Sequence, residues 1–599
     1  MARLKTHSIP GTRVTQWAVI GLITAVFYLP MITSAQETQT NSASQYLLQA
    51  VNCLATVFET PSNQAPRTFT TTLRVTKADR LPQGIAGRDL ELAFQPPDHL
   101  RVSLAWEDLR VILCRDGQQL WVYSPTRRFG LEGPPSGASP SGTATTIKLK
   151  PLRPMEFSIP VTQFAALLLF TDLKAMPEET IGTAQCRVLE VKPKEEAIEA
   201  LKLPRATLQL WLRHSDSFPL RLAYRDDKGV NLQLDLIDPQ WQPAWAPERW
   251  QLKAGDGDKI ITAANYFDNY DPKAPLNATE LTSTELNQGD SARVGNLTKF
   301  TFDGYKGEKI PALLSLPASR GAKRLPAIIF LHGIGQDKNF LKAICSPFNQ
   351  AGFAFASFDQ YTRGERKLRQ PRSVLADLEA FVERPAKTIN ETRRLIDYLQ
   401  SRPDIDPRRI YVVGASYGAV MGSTVLAKDK RVRAGVMVYG GGDFSKLTDS
   451  RANHLAVAAA LGLIDGRKLN PEKPPLPTLT PSQERQVGQV LGLIKPLATH
   501  LLGEADPIHY AAQIAPTPVY FQNGTHDVLV PAAAGKALQE AAGEPKKITW
   551  YDSDHVGIDR EQTLQVLRDA LRWLLEQDDP LRAPEERGKD LPAFDLKAG

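Results

Sequence analysis

The chain has 599 residues, of which 42% are hydrophobic and 23% are charged. This length predicts two to four domains at about 150 residues each, and the composition excludes a fibrous or largely unfolded chain. The 72 Lys and Arg residues exceed the 66 Asp and Glu residues by six without forming a basic run, which argues against a dedicated nucleic-acid surface. The cysteines are widely spaced and form no C-x-x-C pair, so neither a zinc site nor a disulfide framework is predicted; they are Cys53, Cys114, Cys186 and Cys345.

Residues 1–35 have the pattern of a secretory signal peptide. Three basic residues precede an apolar run over 17–32, and the small residues 33–35 offer a cleavage site before Gln36. The alternative is an uncleaved anchor, although the apolar run is shorter than the ~20 residues that a spanning helix needs. The sequence therefore predicts an exported protein, periplasmic or extracellular, in an oxidising compartment.

Residues 42–263 have the pattern of an α+β domain. Apolar residues recur at helical spacing between 47 and 58, whereas apolar and polar residues alternate over 90–94. Turn signals such as Asp116-Gly117 separate the alternating runs, as hairpin connections do. The pattern predicts an antiparallel meander with a second helix over 164–173.

The order of a helix, a curved antiparallel sheet and an inserted helix, with stretches such as 116–123 and 208–212, resembles the LolA-like family of outer-membrane lipoprotein carriers. The resemblance implies a half-barrel whose concave apolar face shelters an acyl chain, and it implies transient contact with a membrane or a lipoprotein. The alternative is that the inward aliphatic and Trp residues only fill the core that any curved sheet needs.

The second half of the chain has a different pattern, beginning after a polar stretch over 264–296 that is predicted to be a linker. From 297 to 577 strands alternate with helices, and short apolar runs such as 327–331 are typical of buried parallel strands. The pattern predicts a mostly parallel, doubly wound sheet. Residues 578–599 are charged and contain proline, so a disordered tail is predicted.

A G-x-S-x-G motif lies where the predicted strand 410–413 meets a helical stretch. The pentad alone is a weak signal, but a strand before it and a helix after it are typical of a nucleophile elbow. Gly414 and Gly418 provide the small residues that such a tight turn needs. Ser416 is therefore the predicted nucleophile, at a helix N-terminus that favours developing negative charge.

A serine hydroxyl needs a base to remove its proton, and that base needs a carboxylate to orient it. Asp527 follows a late predicted strand, and His555 follows the next strand and precedes the final helix. Ser416, Asp527 and His555 thus occur in the order nucleophile, acid, base. Asp554 is the competing acid, but adjacent residues usually point apart, so Asp527 is predicted.

The predicted strand 327–331 ends in His332-Gly333-Ile334, where a second oxyanion donor is expected. Two backbone N–H groups aimed at the developing oxyanion each contribute roughly 3 kcal/mol. We assign them to Ile334 and Tyr417. His332 is predicted to hold the loop in shape and not to act as a second base.

Residues 297–577 resemble the α/β-hydrolase superfamily, near its dienelactone-hydrolase, acetyl-xylan-esterase and prolyl-oligopeptidase-like branches. The motifs that carry the resemblance occur in family order: His332-Gly333, Asp359 with Arg363-Gly364, 406–410, Gly414 to Gly418, Asp527 and His555. The proline-rich insert 446–503 departs from the family pattern and is predicted to form a helical lid. Arg363 is predicted to brace the elbow region through an ion pair and not to touch the substrate. Ala419 stands where peptidase members often have a glycine, which counts against peptidase activity.

The sequence therefore predicts an exported serine hydrolase that cleaves carboxylic esters through an acyl-enzyme, with a small-molecule or lipid-like ester as substrate. No metal and no cofactor is expected. A serine peptidase of prolyl-oligopeptidase type is one alternative. The other is a non-catalytic lipid- or lipoprotein-binding protein, in which the hydrolase half has lost its activity.

Overall fold

The computed structural model gives the protein two sheet-based domains. The described residues are 42–58, 65–79, 86–106, 109–135, 170–201, 205–227, 229–262, 266–267, 270–288, 292–304, 307–318, 324–367, 374–461, 463–465, 476–556 and 559–582. The predicted signal peptide over 1–35 lies outside them.

The first domain is built on a large sheet, as the alternating pattern predicts. Within the described residues it has twelve strands in the order β12-β6-β5-β4-β3-β2-β1-β11-β10-β9-β8-β7, antiparallel apart from the parallel pair β6–β12. The strands are β1 (Arg67–Asp79), β2 (Asp89–Gln95), β3 (His99–Trp106), β4 (Leu109–Asp116), β5 (Leu120–Ser124), β6 (Phe129–Glu132), β7 (Thr171–Ile181), β8 (Ala184–Pro193), β9 (Ala206–Arg213), β10 (Pro219–Asp226), β11 (Asn231–Pro243) and β12 (Lys259–Ile261). The resemblance to lipoprotein carriers remains a prediction.

Helix α1 (Ser42–Phe58) covers part of this sheet, and α2 (Glu195–Leu201) connects β8 to β9. Leu47 and Val51 lie one helical turn apart on α1, so they face the same way and pack together with Leu189 of β8. Further along α1, Val57 joins a second cluster around Phe69. The apolar side of the helix thus fills space against the sheet.

The predicted helix over 164–173 is wrong from Thr171 onward. Thr171 begins β7, which pairs with β8 along its length. The sequence pattern of this segment does not distinguish a helix from a strand. Its conformation is set by antiparallel pairing with β8. Residues 164–169 lie outside the described residues.

The second domain has a nine-stranded sheet across the described residues, in the order β13-β14-β15-β17-β16-β18-β19-β20-β21. From β17 to β21 the neighbours are parallel, while β13 to β15 form an antiparallel extension. The strands are β13 (Thr279–Gln288), β14 (Ala292–Asp303), β15 (Lys309–Pro317), β16 (Leu325–Leu331), β17 (Ala354–Phe358), β18 (Ile405–Ala415), β19 (Val432–Val438), β20 (Val519–Gly524) and β21 (Lys546–Tyr551).

Helices cover both faces of this sheet, as expected for a doubly wound architecture. They enclose one buried cluster on each face, and the central strands are apolar on both sides for that reason. The covering helices are α3 (Leu341–Gln350), α4 (Val374–Ser401), α5 (Tyr417–Lys428), α9 (Ala532–Ala541) and α10 (Arg560–Asp578).

The predicted linker 264–296 is wrong, because most of this segment belongs to the second domain. Phe267 and Leu276 pack against its core, and β13 and β14 extend its sheet. The segment has the composition of a linker because β13 is an edge strand with largely exposed polar residues.

The predicted start of the tail at 578 is also wrong. Asp578 ends α10 and is fully buried, where it accepts hydrogen bonds from Arg409, Tyr411 and Arg582. A charged residue can be buried in this way when it is paired with opposite charges and hydrogen-bonded. Residues 583–599 lie outside the described residues.

The segment predicted as the insert 446–503 lies between β19 and β20 and is mostly helical where it is described. Its helices are α6 (Phe444–Leu447), α7 (Arg451–Ala460) and α8 (Pro481–Leu501). Helices α7 and α8 share a small apolar core that includes Leu455 and Val487. Across the described residues, no helix is both long and apolar enough to cross a membrane.

Candidate active site

The carboxyl ends of the parallel strands meet at one edge of the second sheet. Gly333 follows β16, Ser416 follows β18, Asp527 follows β20 and His555 follows β21. Open α/β sheets bind ligands at this edge, because the loops that leave neighbouring strands converge there. The fold thus brings together the residues that the sequence places far apart.

Ser416 occupies a strained turn between β18 and α5. Its φ and ψ are 55° and −121°, a conformation that non-glycine residues rarely adopt. The backbone N–H of Ser416 donates a hydrogen bond of 2.8 Å to the carbonyl oxygen of Val438 at the end of β19. This bond to the neighbouring strand holds the turn in place.

The glycines on either side of Ser416 permit a close approach of strand and helix. A Cβ on Gly418 would lie 1.9 Å from the carbonyl oxygen of Leu331, and one on Gly414 would lie 2.3 Å from that of Gly418. Both distances are far below van der Waals contact. Any larger residue at either position would push β18, α5 and β16 apart.

Asp527 and His555 form a buried pair. The imidazole Nδ1 and the carboxylate Oδ2 are 2.7 Å apart, and the side chains are 7% and 1% exposed for His555 and Asp527. The other carboxylate oxygen accepts bonds of 2.8 Å from the N–H groups of Leu529 and Val530. Because Nδ1–H donates to Asp527 in the neutral imidazole, Nε2 carries the lone pair that can take a proton.

The competing acid, Asp554, faces the backbone. Its Oδ1 accepts hydrogen bonds from the N–H groups of Val528 at 3.1 Å and His555 at 2.7 Å. It therefore ties the loop after β21 to the loop after β20. The imidazole is paired with Asp527.

Two backbone segments flank the serine where an oxyanion would form. Tyr417 begins α5, so its N–H belongs to the first helical turn, whose donors have no acceptor within the helix. A Cβ built on Gly333 would lie 3.6 Å from Ser416 Cβ, so the loop that carries Ile334 passes beside the serine. The side chain of Ile334 is 45% exposed at this edge.

His332 is fully buried below this loop. Its Nδ1 lies 2.9 Å from the carbonyl oxygen of Gly333, and its own carbonyl accepts a bond of 2.9 Å from the Gln360 amide. Burial lowers the pKa of His332, which favours the neutral imidazole. These contacts give the ring a role in shaping the loop.

Near Arg363, the neighbouring Arg366 forms a buried ion pair, while the ion pair predicted at Arg363 stays a prediction. The guanidinium of Arg366 bonds both carboxylate oxygens of buried Glu391 at 2.7 and 2.8 Å. In the same loop the carboxylate of Asp359 accepts a bond of 2.8 Å from the buried Lys338 ammonium.

Tyr439 lies at this site, although no sequence motif points to it. It follows β19 with a φ of 53°, and its ring centroid lies 5.8 Å from that of His555. The one available signal is the run of three glycines after it, 440–442, which indicates a tight turn at the end of a strand.

Within the described residues, no group of three His, Cys, Asp or Glu side chains is arranged to hold a metal ion. The four cysteines are free thiols.

Residues 310–467 match the model of the dienelactone hydrolase family. This segment contains β16, β18 and the Ser416 turn. Together with the doubly wound sheet, the match shows that the C-terminal region has an α/β-hydrolase-type fold of the dienelactone hydrolase kind.

Two curated proteins are similar to parts of this chain. An uncharacterized protein of Pseudomonas aeruginosa is 30% identical over 137 residues, which are 23% of this chain and 34% of the relative. The chain thus spans about a third of that relative's length. The esterase YjfP of Escherichia coli is 24% identical over 243 residues, 39% of this chain and 82% of the relative.

Among solved structures, acetyl xylan esterase 1 from Thermoanaerobacterium is 19% identical with a TM-score of 0.37. The alignment covers 52% of this chain and 91% of that chain.

Proposed function

We propose that the protein is an exported serine hydrolase that cleaves carboxylic esters, with Ser416 as nucleophile, His555 as base and Asp527 as orienting acid. The observation that carries the proposal is the 2.7 Å pairing of His555 with Asp527 at the sheet edge where Ser416 occupies its strained turn. The dienelactone hydrolase match and the similarity to an esterase support an ester as the substrate.

The proposed reaction uses these residues in the following order. Ser416 Oγ attacks the ester carbonyl carbon while His555 Nε2 takes the hydroxyl proton, and Asp527 stabilises the imidazolium. The carbonyl oxygen becomes an oxyanion that accepts bonds from the N–H groups of Ile334 and Tyr417. The imidazolium returns its proton to the departing alkoxide, which leaves an acyl-serine. Water then attacks the acyl-serine with His555 as base, releasing the carboxylic acid and free Ser416.

The test is the variant Ser416→Ala. It should abolish labelling by a fluorophosphonate and lower ester turnover by about three orders of magnitude or more. Ser423→Ala is the matched control, since Ser423 lies on the same helix and its hydroxyl bonds the carbonyl of Ala419. Both variants should keep the wild-type melting temperature within a few degrees. Labelling of Ser416→Ala would overturn the assignment.

His555→Ala should lose activity to a similar degree, and the double variant with Ser416→Ala should cost little more, because members of a triad act as a unit. Rates on acyl-peptide amides comparable with those on esters would favour the peptidase alternative. A wild-type chain that neither turns over nor labels would favour the non-catalytic one.

The N-terminal domain is proposed to bind an acyl ligand at the sheet face next to α1. The packing of Leu47 and Val51 with Leu189 means that such a ligand has to share or displace this contact. Binding of a fluorescent fatty-acyl probe to the Ser416→Ala full-length chain tests the idea. No binding would leave the domain a scaffold with a filled core.

Export is proposed from residues 1–35 alone. Expression of the full gene in a two-membrane bacterium, followed by N-terminal sequencing of the periplasmic product, should give a chain that begins at Gln36. A product that retains residues 1–35 would indicate the uncleaved anchor.

A further inference from the structure

Tyr439 combines complete burial with a strained backbone. It is 0% exposed and has a φ of 53°, in the left-handed region that a bulky side chain rarely enters. A residue in this conformation persists only where its surroundings hold it, and such positions cluster at active sites. The contacts of Tyr439 therefore indicate what the strain serves.

The backbone at Tyr439 is held by both neighbouring strands. Its N–H donates a bond of 2.6 Å to the carbonyl oxygen of Gln522 in β20. The preceding carbonyl, that of Val438, accepts the bond from the N–H of Ser416. The peptide bond between Val438 and Tyr439 is thus hydrogen-bonded to Ser416 on one side and, on the other, to β20, the strand that leads to Asp527.

The side chain of Tyr439 reaches the loop of the base. Its ring meets the imidazole of His555 edge to face, with an interplanar angle of 86° and centroids 5.8 Å apart. Its hydroxyl shares a hydrogen bond of 2.5 Å with Ser553 Oγ, two residues before His555. One side chain thus contacts both the ring and the loop that carries it.

The neighbouring strand leaves room for this ring. A Cβ on Gly524 would lie 2.6 Å from Tyr439 Cε1 and 2.6 Å from the carbonyl oxygen of Ser553. The carbonyl of Gly440 accepts a bond of 2.8 Å from the Asn523 amide, which holds the chain after Tyr439 against β20. The turn at Tyr439 is therefore fixed on both of its sides.

We infer that Tyr439 is a positioning residue. Its ring fixes the plane of the His555 imidazole, and its hydroxyl holds the loop of Ser553 and His555 in position beside Ser416. The bond to Asp527 fixes one atom of the imidazole, but the ring can still rotate about that bond. The edge-to-face contact with Tyr439 restricts this rotation, and in the proposed mechanism it thereby keeps Nε2 oriented to accept the proton of Ser416. The inference rests on the proposed function.

The main test is Tyr439→Leu, which keeps an apolar side chain but removes the ring. A misplacement of about 1 Å in a catalytic group can cost about 100-fold in rate. We therefore expect kcat on a short soluble ester to fall about 100-fold while KM changes less than about threefold. The low-field NMR resonance of the His555–Asp527 proton should broaden or disappear. Tyr439→Phe keeps the ring and should restore most of kcat and the resonance.

The matched controls are Tyr411→Leu and Tyr411→Phe. Tyr411 lies on β18, away from His555, and is also fully buried. Its hydroxyl donates a hydrogen bond to the carboxylate of Asp578. These variants should lower the melting temperature and leave kcat and the resonance unchanged. Unchanged kcat in Tyr439→Leu, or an equal loss of kcat in Tyr411→Leu, would overturn the inference.

The hydroxyl is tested separately by a double-mutant cycle, which also covers the case that Tyr439→Leu does not fold. Tyr439→Phe and Ser553→Ala should each lower kcat by a similar factor that is small beside the loss in Tyr439→Leu, and the double variant should lower it no further. Additive losses would overturn the role of the hydroxyl. Ser416→Ala separates the two proposals: if it retains hydrolysis the proposed function fails, whereas an inactive Ser416→Ala beside a fully active Tyr439→Leu refutes only the positioning role.

Discussion

Two residues at neighbouring strand ends, Ser416 and Tyr439, hold positive φ angles of 55° and 53°. Such conformations cost of order 1–3 kcal/mol each, so the surrounding structure has to stabilise them. At Ser416 the stabilisation includes the bond to Val438 and the close contact that Gly414 and Gly418 permit. The site is thus maintained by packing that has no role in the chemistry.

The variant Gly418→Ala tests this packing at the residue scale. Its new Cβ would meet the Leu331 carbonyl oxygen at 1.9 Å, and backbone cannot move aside cheaply, so we expect a loss of about 3 kcal/mol or more in the free energy of unfolding. Fluorophosphonate labelling should be lost as well. The measurement is urea unfolding followed by circular dichroism.

Gly422→Ala is the control on the same helix. There the new Cβ would meet the flexible side chain of Met437 at 3.0 Å, and alanine is favoured over glycine in a helix by about 1 kcal/mol. The net change should stay within about 1 kcal/mol. Equal losses for the two variants would mean that the contact with Leu331 is not what restricts position 418.

At this scale the sequence predicts the part of the site that local pattern encodes. A strand, G-x-S-x-G and a helix are contiguous, so the turn at Ser416 could be predicted. The role of Tyr439 could not, because its conformation depends on Gln522 and Gly524, more than eighty residues away in the chain. The ion pair of Arg366 could not be predicted either, because its partner Glu391 lies 25 residues further along the chain.

At the scale of elements, buried strands are the most predictable. The runs that became β16 and β18 are apolar because both faces of the sheet are covered. The misassigned elements lie at edges. β13 is exposed and rich in Thr and Glu, and β7 is the outermost strand of the first sheet, so neither carries a strong apolar pattern.

Asp578 at the end of α10 gives a prediction at this scale. Burial alone would raise the pKa of Asp578, but hydrogen bonds from Arg409 and Arg582 bring it below its ordinary value. Asp578→Asn leaves these two guanidinium groups without their buried carboxylate and should cost about 3 kcal/mol in the free energy of unfolding. Arg408→Gln, which breaks a pair with a 76% exposed arginine, should cost less than about 1 kcal/mol. Equal losses in the free energy of unfolding would contradict the interpretation that Asp578 forms a buried, stabilising ion pair.

The corrected end of the domain is testable by truncation. A chain that stops after Gln577 lacks Asp578 and Arg582, whereas one that stops after Arg582 keeps the whole network. We expect the longer chain to melt within about 2 °C of the full chain and the shorter one at least about 5 °C lower. Equal melting temperatures would show that residues 578–582 contribute nothing.

At the scale of the whole molecule, the two sheets are joined through more than the connecting chain. His500 at the end of α8 is buried against the first domain, where a Cβ on Gly133 would lie 2.6 Å from its Cδ2. Lys259 of β12 pairs with Glu383 of α4. The helical insert and α4 therefore both contact the first domain, which no pattern within either half of the sequence could indicate.

The buried histidines predict an acid-sensitive fold. Burial lowers the pKa of His500, and also that of His509, to about 4. As pH falls from about 6.5 to 4, the unfolded chain takes up these protons and the folded chain does not, so stability is lost in this window. At pH 5 the loss is about 2 kcal/mol for each histidine. Burial raises the pKa of Asp506 to about 6, which acts in the opposite direction below pH 6.

In the wild-type chain, the urea concentration at the midpoint of unfolding should fall between pH 7.5 and pH 5. In His500→Gln this fall should be smaller. His526→Gln is the control, since the side chain of His526 is 63% exposed. Identical pH dependence in the two variants would show that burial at the domain contact does not keep His500 unprotonated.

The pairing of β1 with β11 has a consequence for the order of events during synthesis. These two strands lie near the middle of the first sheet, yet Thr70 of β1 and Gln242 of β11, whose side chains share a hydrogen bond, are 172 residues apart in the chain. The ribosome adds about 5–20 residues per second, so β1 waits on the order of ten seconds before its partner emerges. During that time its backbone edge is open to other chains. Holdase chaperones that bind nascent polypeptides should therefore associate with the segment 67–79 until residue 243 has left the ribosomal tunnel.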